Sequence, residues 1–206
     1  KKAFASLEEG EQAIERVREL GLGQLRIGVS TTLCKYVLLP YLPDFIASHP
    51  HIKITIECQS TYHTLKLLED GAIDIGLVGM PLKRSHIHYD SIGEIEDIFV
   101  ATQSYLDNLL LREHYNSSKE LFSIANVLLL DEENITRHYI DSYFARHNIN
   151  LNQVLEIDTM DLLIDFAKTG LGVACVIREF VNDLLEDQTI VEIPLTTPIS
   201  KRSIGY

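Results

Sequence analysis

The chain has 206 residues, 46% hydrophobic and 23% charged, enough to bury one large core or two smaller ones. A formal net charge of −12 excludes a surface built to neutralise nucleic-acid phosphates, which needs clustered Lys and Arg. No run approaches the roughly 18 consecutive apolar residues of a membrane span, and the N-terminal KKAFASLEEGEQAIERVREL is too charged for a signal-peptide core.

A cytoplasmic location is therefore expected, with no membrane partner. Cys34, Cys58 and Cys175 are too few and too scattered for a disulfide framework or a metal cluster, and reduced thiols are the default.

In chain order, residues 3 to 20 read as a helix. Ala3, Leu7, Gly10, Ile14 and Val17 at alternating spacings of four and three form a short coiled-coil seam, stopped at Gly21 and Gly23. QLRIGV (24–29) alternates as a strand. A helical segment reaching Ser48 follows, and Pro40 and Pro43 either delay its regular part or kink it. IKITIEC (52–58) is a strand, YHTLKLLEDG (62–71) a helix and AIDIGLVG (72–79) a strand. This βαβαβ unit implies a parallel sheet with helices on both faces. Beyond it the alternation recurs, less cleanly around 104–125. Strands are predicted at 97–102, 126–130, 153–157, 172–177 and 189–195, and helices at 135–147, 160–170 and 178–185. Two similar α/β lobes result, and no strand-to-helix turn carries a glycine-rich phosphate fingerprint.

Open parallel sheets bind ligands beyond the carboxyl ends of their strands, where helix-start amides are unpaired. Ser30, Thr31 and Thr32 follow the first strand, and Gln59, Ser60 and Thr61 follow the second. Hydroxyls and amides there suit a carboxylate or other small anion, although Ser and Thr also cap helices routinely.

The run GQLRIGVSTTL, LLPYLPDFIASHPHIKITIECQST, LKLLEDGAIDIGLVG, followed by DTMDLLIDFAKTGLGVACV, resembles the effector-binding domain of LysR-type transcriptional regulators. The likeness runs from Gly23 to Tyr206. It implies an α/β fold of two Rossmann-like lobes, type II periplasmic-binding-protein-like, preceded by a linker helix. Residues 1–23 would be that dimerisation helix, 24–98 with 199–206 lobe I, and 99–198 lobe II. It also implies a homodimer or tetramer, paired through the helix near residues 38–48 of one subunit and a lobe II helix of the other. DNA would be bound by an N-terminal winged helix-turn-helix with no counterpart in this sequence.

Carried over residue by residue, the resemblance implies effector contacts from Ser30, Thr31, Thr32, Ser60 and Thr61, and from Gly79, Met80 and Pro81 at the third strand end. From lobe II it adds Asn134, Ile135, Thr136, Asp158, Thr159 and Ile177. Many relatives have Leu-Pro after the last of these strands, where this chain has Val176, Ile177 and Arg178. Arg178 is thus a candidate anion partner, unless it simply points into solvent. Arg137 and His138 are weaker sources of positive potential, as helix-face Arg is usually solvated. His49 with His51, and His86 with His88, lack a third ligand, so no metal and no cofactor is expected. Asp70 and Asp74 read as turn and solvent residues.

A small-molecule effector, possibly a carboxylate, would enter between the lobes, favour one arrangement and alter the dimer geometry that spaces the DNA-binding heads. An exported solute-binding protein is the main alternative, and the helical seam argues against it. Redox sensing through Cys34 and Cys58 is a lesser one. No catalytic residue is expected, because the mapped positions offer hydroxyls, Asp158 and Arg178 but no converging acid and base.

Overall fold

In a computed structural model, residues 23–79 and 87–206 are described. The expected linker helix, Met80, Pro81 and His86 lie outside them. The chain divides into two compact α/β units. Of the described residues, the first comprises 23–78 with Ile87, His88 and Tyr206, and the second takes Gly79 and Tyr89–Gly205.

In the first unit β1 (Gly23–Val29) is flanked by β2 (Ile52–Cys58) and β3 (Ile75–Gly79), parallel to both, with Val29 beside Cys58 and Leu77. All three strands therefore end on one edge. After β1 the chain winds irregularly. A single α turn, α1 (Thr31–Leu33), passes into a π turn at Cys34–Leu38 and a 3-10 turn at Leu39–Tyr41, before regular α2 (Leu42–Ser48). The proline at position 40 lacks the N–H that an α-helical ladder would use, which favours this rewinding. Pro43 sits in the first turn of α2, where that N–H has no partner to lose.

Helix α3 (Thr61–Glu69) lies close on the sheet because Gly28 and Gly76 leave room for the buried Thr64; a Cβ on either would meet its Cγ2 at 3.0 Å. Gly71, at φ +67°, then turns the chain back as only a residue tolerant of the left-handed region does readily. Asp74 is more than a solvent residue. Its carboxylate pairs with the Arg26 guanidinium at 2.8 Å and accepts from the Arg26 amide, which holds that carboxyl below its ordinary value.

The second unit holds a mixed sheet in the order β7 (Gln153–Ile157), β6 (Asn126–Leu130), β8 (Val173–Ile177), β5 (Asp97–Ala101), β9 (Val191–Glu192). Strands β6, β7 and β8 are parallel, while β5 runs against β8 and β9. Residues 104–125, where the periodicity is weak, form α4 (Gln103–Leu110) and α5 (Ser118–Ile124). Helices α6 (Ile135–His147) and α7 (Met160–Lys168) fall where expected. The stretch 178–185 instead splits into a 3-10 turn and α8 (Asn182–Glu186), and only two residues of 189–195 pair as strand.

Phe99, Phe122 and Phe144 centre the core, their rings 4.7 to 5.6 Å apart. Two further strands, β4 (Ser91–Ile95) and β10 (Arg202–Gly205), pair antiparallel. There Asp97 and Arg202 form a bidentate ion pair at 2.6 and 2.7 Å with almost no access to solvent, and the Tyr139 ring lies 5.4 Å from the guanidinium. Burial pushes the Asp97 carboxyl up and Arg202 opposes that rise.

Two stability measurements follow from these contacts. Gly172 has no room for a Cβ, which would sit 2.5 Å from the Asn126 carbonyl oxygen. Gly172→Ala should lower unfolding stability by about 1–3 kcal/mol in a urea melt, whereas Gly93→Ala, with nothing within 4 Å, should change it by no more than about 0.5 kcal/mol. Arg202→Met strands a buried carboxylate and should cost about 3–5 kcal/mol, much of which the double change Asp97→Leu with Arg202→Met restores.

Candidate functional site

At the edge where β1, β2 and β3 end, both following helices start with hydroxyl caps. Ser30 Oγ accepts from the Leu33 amide at 3.2 Å and Ser60 Oγ from the His63 amide at 3.3 Å. The β-region backbone of each Ser suits this role, so capping accounts for both serines. Thr31 and Thr32 make no side-chain hydrogen bond among the described residues, and Thr31 is exposed. Their amides precede the first bond of the turn, Cys34 N–H to Ser30 O, and so face outward unpaired within the helix. Thr61 is buried at the start of α3, and Gly79 ends β3 on the same edge.

The second unit repeats the arrangement where β6, β7 and β8 end. Asn134 caps α6, its side-chain oxygen accepting from the Thr136 amide at 2.9 Å. Thr159 caps α7 through Leu162 N–H. Asp158, exposed, and Thr136, half-buried, have no side-chain hydrogen bond or ion pair among the described residues. Ile135 starts α6, and Ile177 is buried at the end of β8 in register with Asp97.

Arg178 occupies this edge as well, but its guanidinium is engaged. Nε donates to Glu96 at 3.0 Å and Nη2 to Glu192, while its backbone N–H donates to the Glu96 carbonyl. Glu179 in turn accepts from the Glu96 amide. These acids hold the Arg178 guanidinium above its ordinary value, with the Glu192 hydrogen bond the largest contribution. Sequence reasoning missed Glu96 and Glu192, because partners 82 and 14 residues away leave no local pattern. Beside them lies a cavity of about 230 Å³ between β5 and the segment after β9, walled by Phe99, Ile193 and Leu195 with Glu96 and Glu192 at its polar side. Two carboxylates make it a poor seat for an anion.

Arg137 is not a solvated source of positive potential. It is buried, and donates to Asp141, Glu156 and the Leu130 carbonyl, fixing α6 against β6 and β7. No three His, Cys, Asp or Glu side chains among the described residues are grouped to hold a metal ion, and no described helix is long and apolar enough to cross a membrane.

The chain is 24% identical over 193 residues to a probable RuBisCO transcriptional regulator of Thalassiosira pseudonana, aligning 91% of its own length with 62% of that protein. It thus spans less than two thirds of that relative. It superposes on the regulatory domain of Synechocystis PCC6803 CcmR in complex with 2-PG at a TM-score of 0.72, with 18% identity over 89% of this chain and 86% of that one. A full-length AphB variant gives a TM-score of 0.74 with 19% identity, covering 99% of this chain and 67% of that one. At such identities these superpositions speak to the fold, that of the type II periplasmic-binding-protein-like effector domains. The family model described as LysR substrate binding domain matches residues 18–206, and the chain belongs to that family.

Proposed function

We propose that the chain is the effector-sensing part of a cytoplasmic LysR-type transcriptional regulator, and that it recognises a small molecule carrying a carboxylate or similar anionic group. One observation carries this reading. In both units the parallel strands end on a single edge, where helix-start amides lie beside hydroxyls with no hydrogen bond among the described residues, Thr31 and Thr32 in one and Thr136 in the other. The arrangement offers hydrogen-bond donors to an anion but no nucleophile with an adjacent base, which favours binding without turnover. The ligand of the CcmR regulatory domain, 2-PG, is the natural first probe.

Of the expected effector set we retain Ser30 to Thr32, Ser60, Thr61 and Gly79 from the first sheet's strand ends, Asn134 to Thr136, Asp158, Thr159 and Ile177 from the second's, and Met80 and Pro81, which lie outside the described residues, but not Arg178. Arg178 we assign to holding β8 against β5 and β9 through its two carboxylates. Lobe boundaries at 98/99 and 198/199 follow the family topology. DNA binding and assembly belong to the longer regulator. Leu39, Tyr41 and Ile46 near α2, and Leu162 and Phe166 on α7, are exposed apolar residues suited to self-association.

Thermal-shift titration of 2-PG and a panel of small hydroxy acids tests the reading. At least one acid should stabilise the chain, and Thr31→Ala should weaken its binding about tenfold or more while barely moving the unliganded melting temperature. An undiminished shift in Thr31→Ala would place recognition elsewhere. Arg178→Ala should do the reverse, lowering unliganded stability by about 1 kcal/mol and leaving the ligand-induced rise intact.

A further inference from the structure

The edge formed by β1, β2 and β3 carries a feature that effector binding does not use. Cys34 lies one turn beyond Ser30, its amide donating to the Ser30 carbonyl. Cys58 is the last residue of β2, in register with Val29 at the end of β1. The two strand ends therefore bring cysteines 24 positions apart to one edge, near enough for each thiol to act on the other. Cys58 is exposed and Cys34 half-buried. A disulfide needs its Cα atoms about 4.4–6.8 Å apart, and the turn that carries Cys34 starts from the strand paired with that of Cys58.

We propose that Cys34 and Cys58 form a reversible disulfide under hydroperoxide, closing a covalent strap across the hydroxyl-lined edge of the first unit. The chemistry assigns the order of events. The exposed Cys58 thiolate attacks one peroxide oxygen and expels the other as water or alcohol, leaving a sulfenic acid. The Cys34 thiol then attacks the Cys58 sulfur and displaces water, so that one peroxide is reduced and two thiols are oxidised. Burial and the adjacent Cys58 raise the Cys34 thiol above its ordinary value, which suits the slower, resolving role. Cys175 is wholly enclosed in β8, with its thiol pushed well up, and takes no part. Only the consequence for ligand binding rests on the effector reading. Thr31 and Thr32 lie beside the strapped residues, on the same turn as Cys34, so the disulfide would hold them in one arrangement and alter affinity at that edge.

Peptide mapping of the purified chain reads the bond directly. Trypsin cuts after Arg26, Lys35, Lys53 and Lys66, which puts the two cysteines on separate peptides, 27–35 and 54–66. After brief exposure to hydrogen peroxide and alkylation of remaining thiols, these peptides should appear linked within one chain. Dithiothreitol should release the link, and Cys175 should be recovered unoxidised. Cys34→Ser should abolish the link and leave Cys58 to progress to sulfinic acid, while the wild type resists that step. A wild-type chain in which Cys58 goes to sulfinic acid with Cys34 still reduced, or in which links form only between chains, would overturn the proposal. Titrating reduced and oxidised chain with 2-PG separates the two readings. A linked peptide with no 2-PG response in either form leaves the disulfide standing, and equal 2-PG affinity in both forms removes its control of the site.

Discussion

A carboxylate and a guanidinium, both shut away from water, fix where β5 and β10 begin. Taking such charges out of solvent costs several kcal/mol per ion, and only a close bidentate geometry with few loose ends offsets it. Asp97 and Arg202 meet that condition at 2.6 and 2.7 Å. Because the penalty for a misplaced partner is large, the pair fixes register more than it adds stability. It ties the first residue of β5 to the first residue of β10, and Tyr139 supports it by donating to the Ser200 carbonyl just upstream.

With β5 starting there, its antiparallel register against β8 sets Asp97 opposite Ile177, at the edge where β6, β7 and β8 all end. That edge is where helices begin, and therefore where amides without intrahelical partners gather. Glu96 and Arg178 flank the buried pair and extend the ionic contact to Glu192. One constraint thus organises both the strand order and the polar rim of that edge. In the first unit the equivalent task falls to close packing, with Thr64 seated over two glycines and Arg26 clipped to Asp74.

Much of this architecture is legible from spacing alone. The strands at 52–58, 126–130 and 153–157 and the helix at 135–147 match the periodic pattern residue for residue, because alternation and a Ser, Thr or Asn cap both point to the same boundaries. Elements whose stability comes from distant partners are not legible. Strand β10 is four residues long and opens with a buried arginine, which no hydrophobic period marks as strand. Strand β4 is short, holds a glycine, and exists only because β10 pairs with it. Likewise the position of Thr31 can be read from a strand end, whereas Thr136 and Asp158 come only from the family resemblance. The engagement of Arg137 and Arg178 cannot, since whether an arginine is solvated or enclosed depends on acids far off in sequence.

The central claim is that outward amides and hydroxyls at these strand-end edges receive a small anionic guest. Backbone amide chemical shifts during titration with 2-PG, or with whichever acid stabilises the chain best, test it most directly. The account predicts saturable shifts concentrated at Thr31, Thr32, Thr61, Thr136 and Thr159, with the core strands unmoved. Shifts gathered instead around the Glu96 and Glu192 cavity, or spread evenly through the core strands, would contradict it.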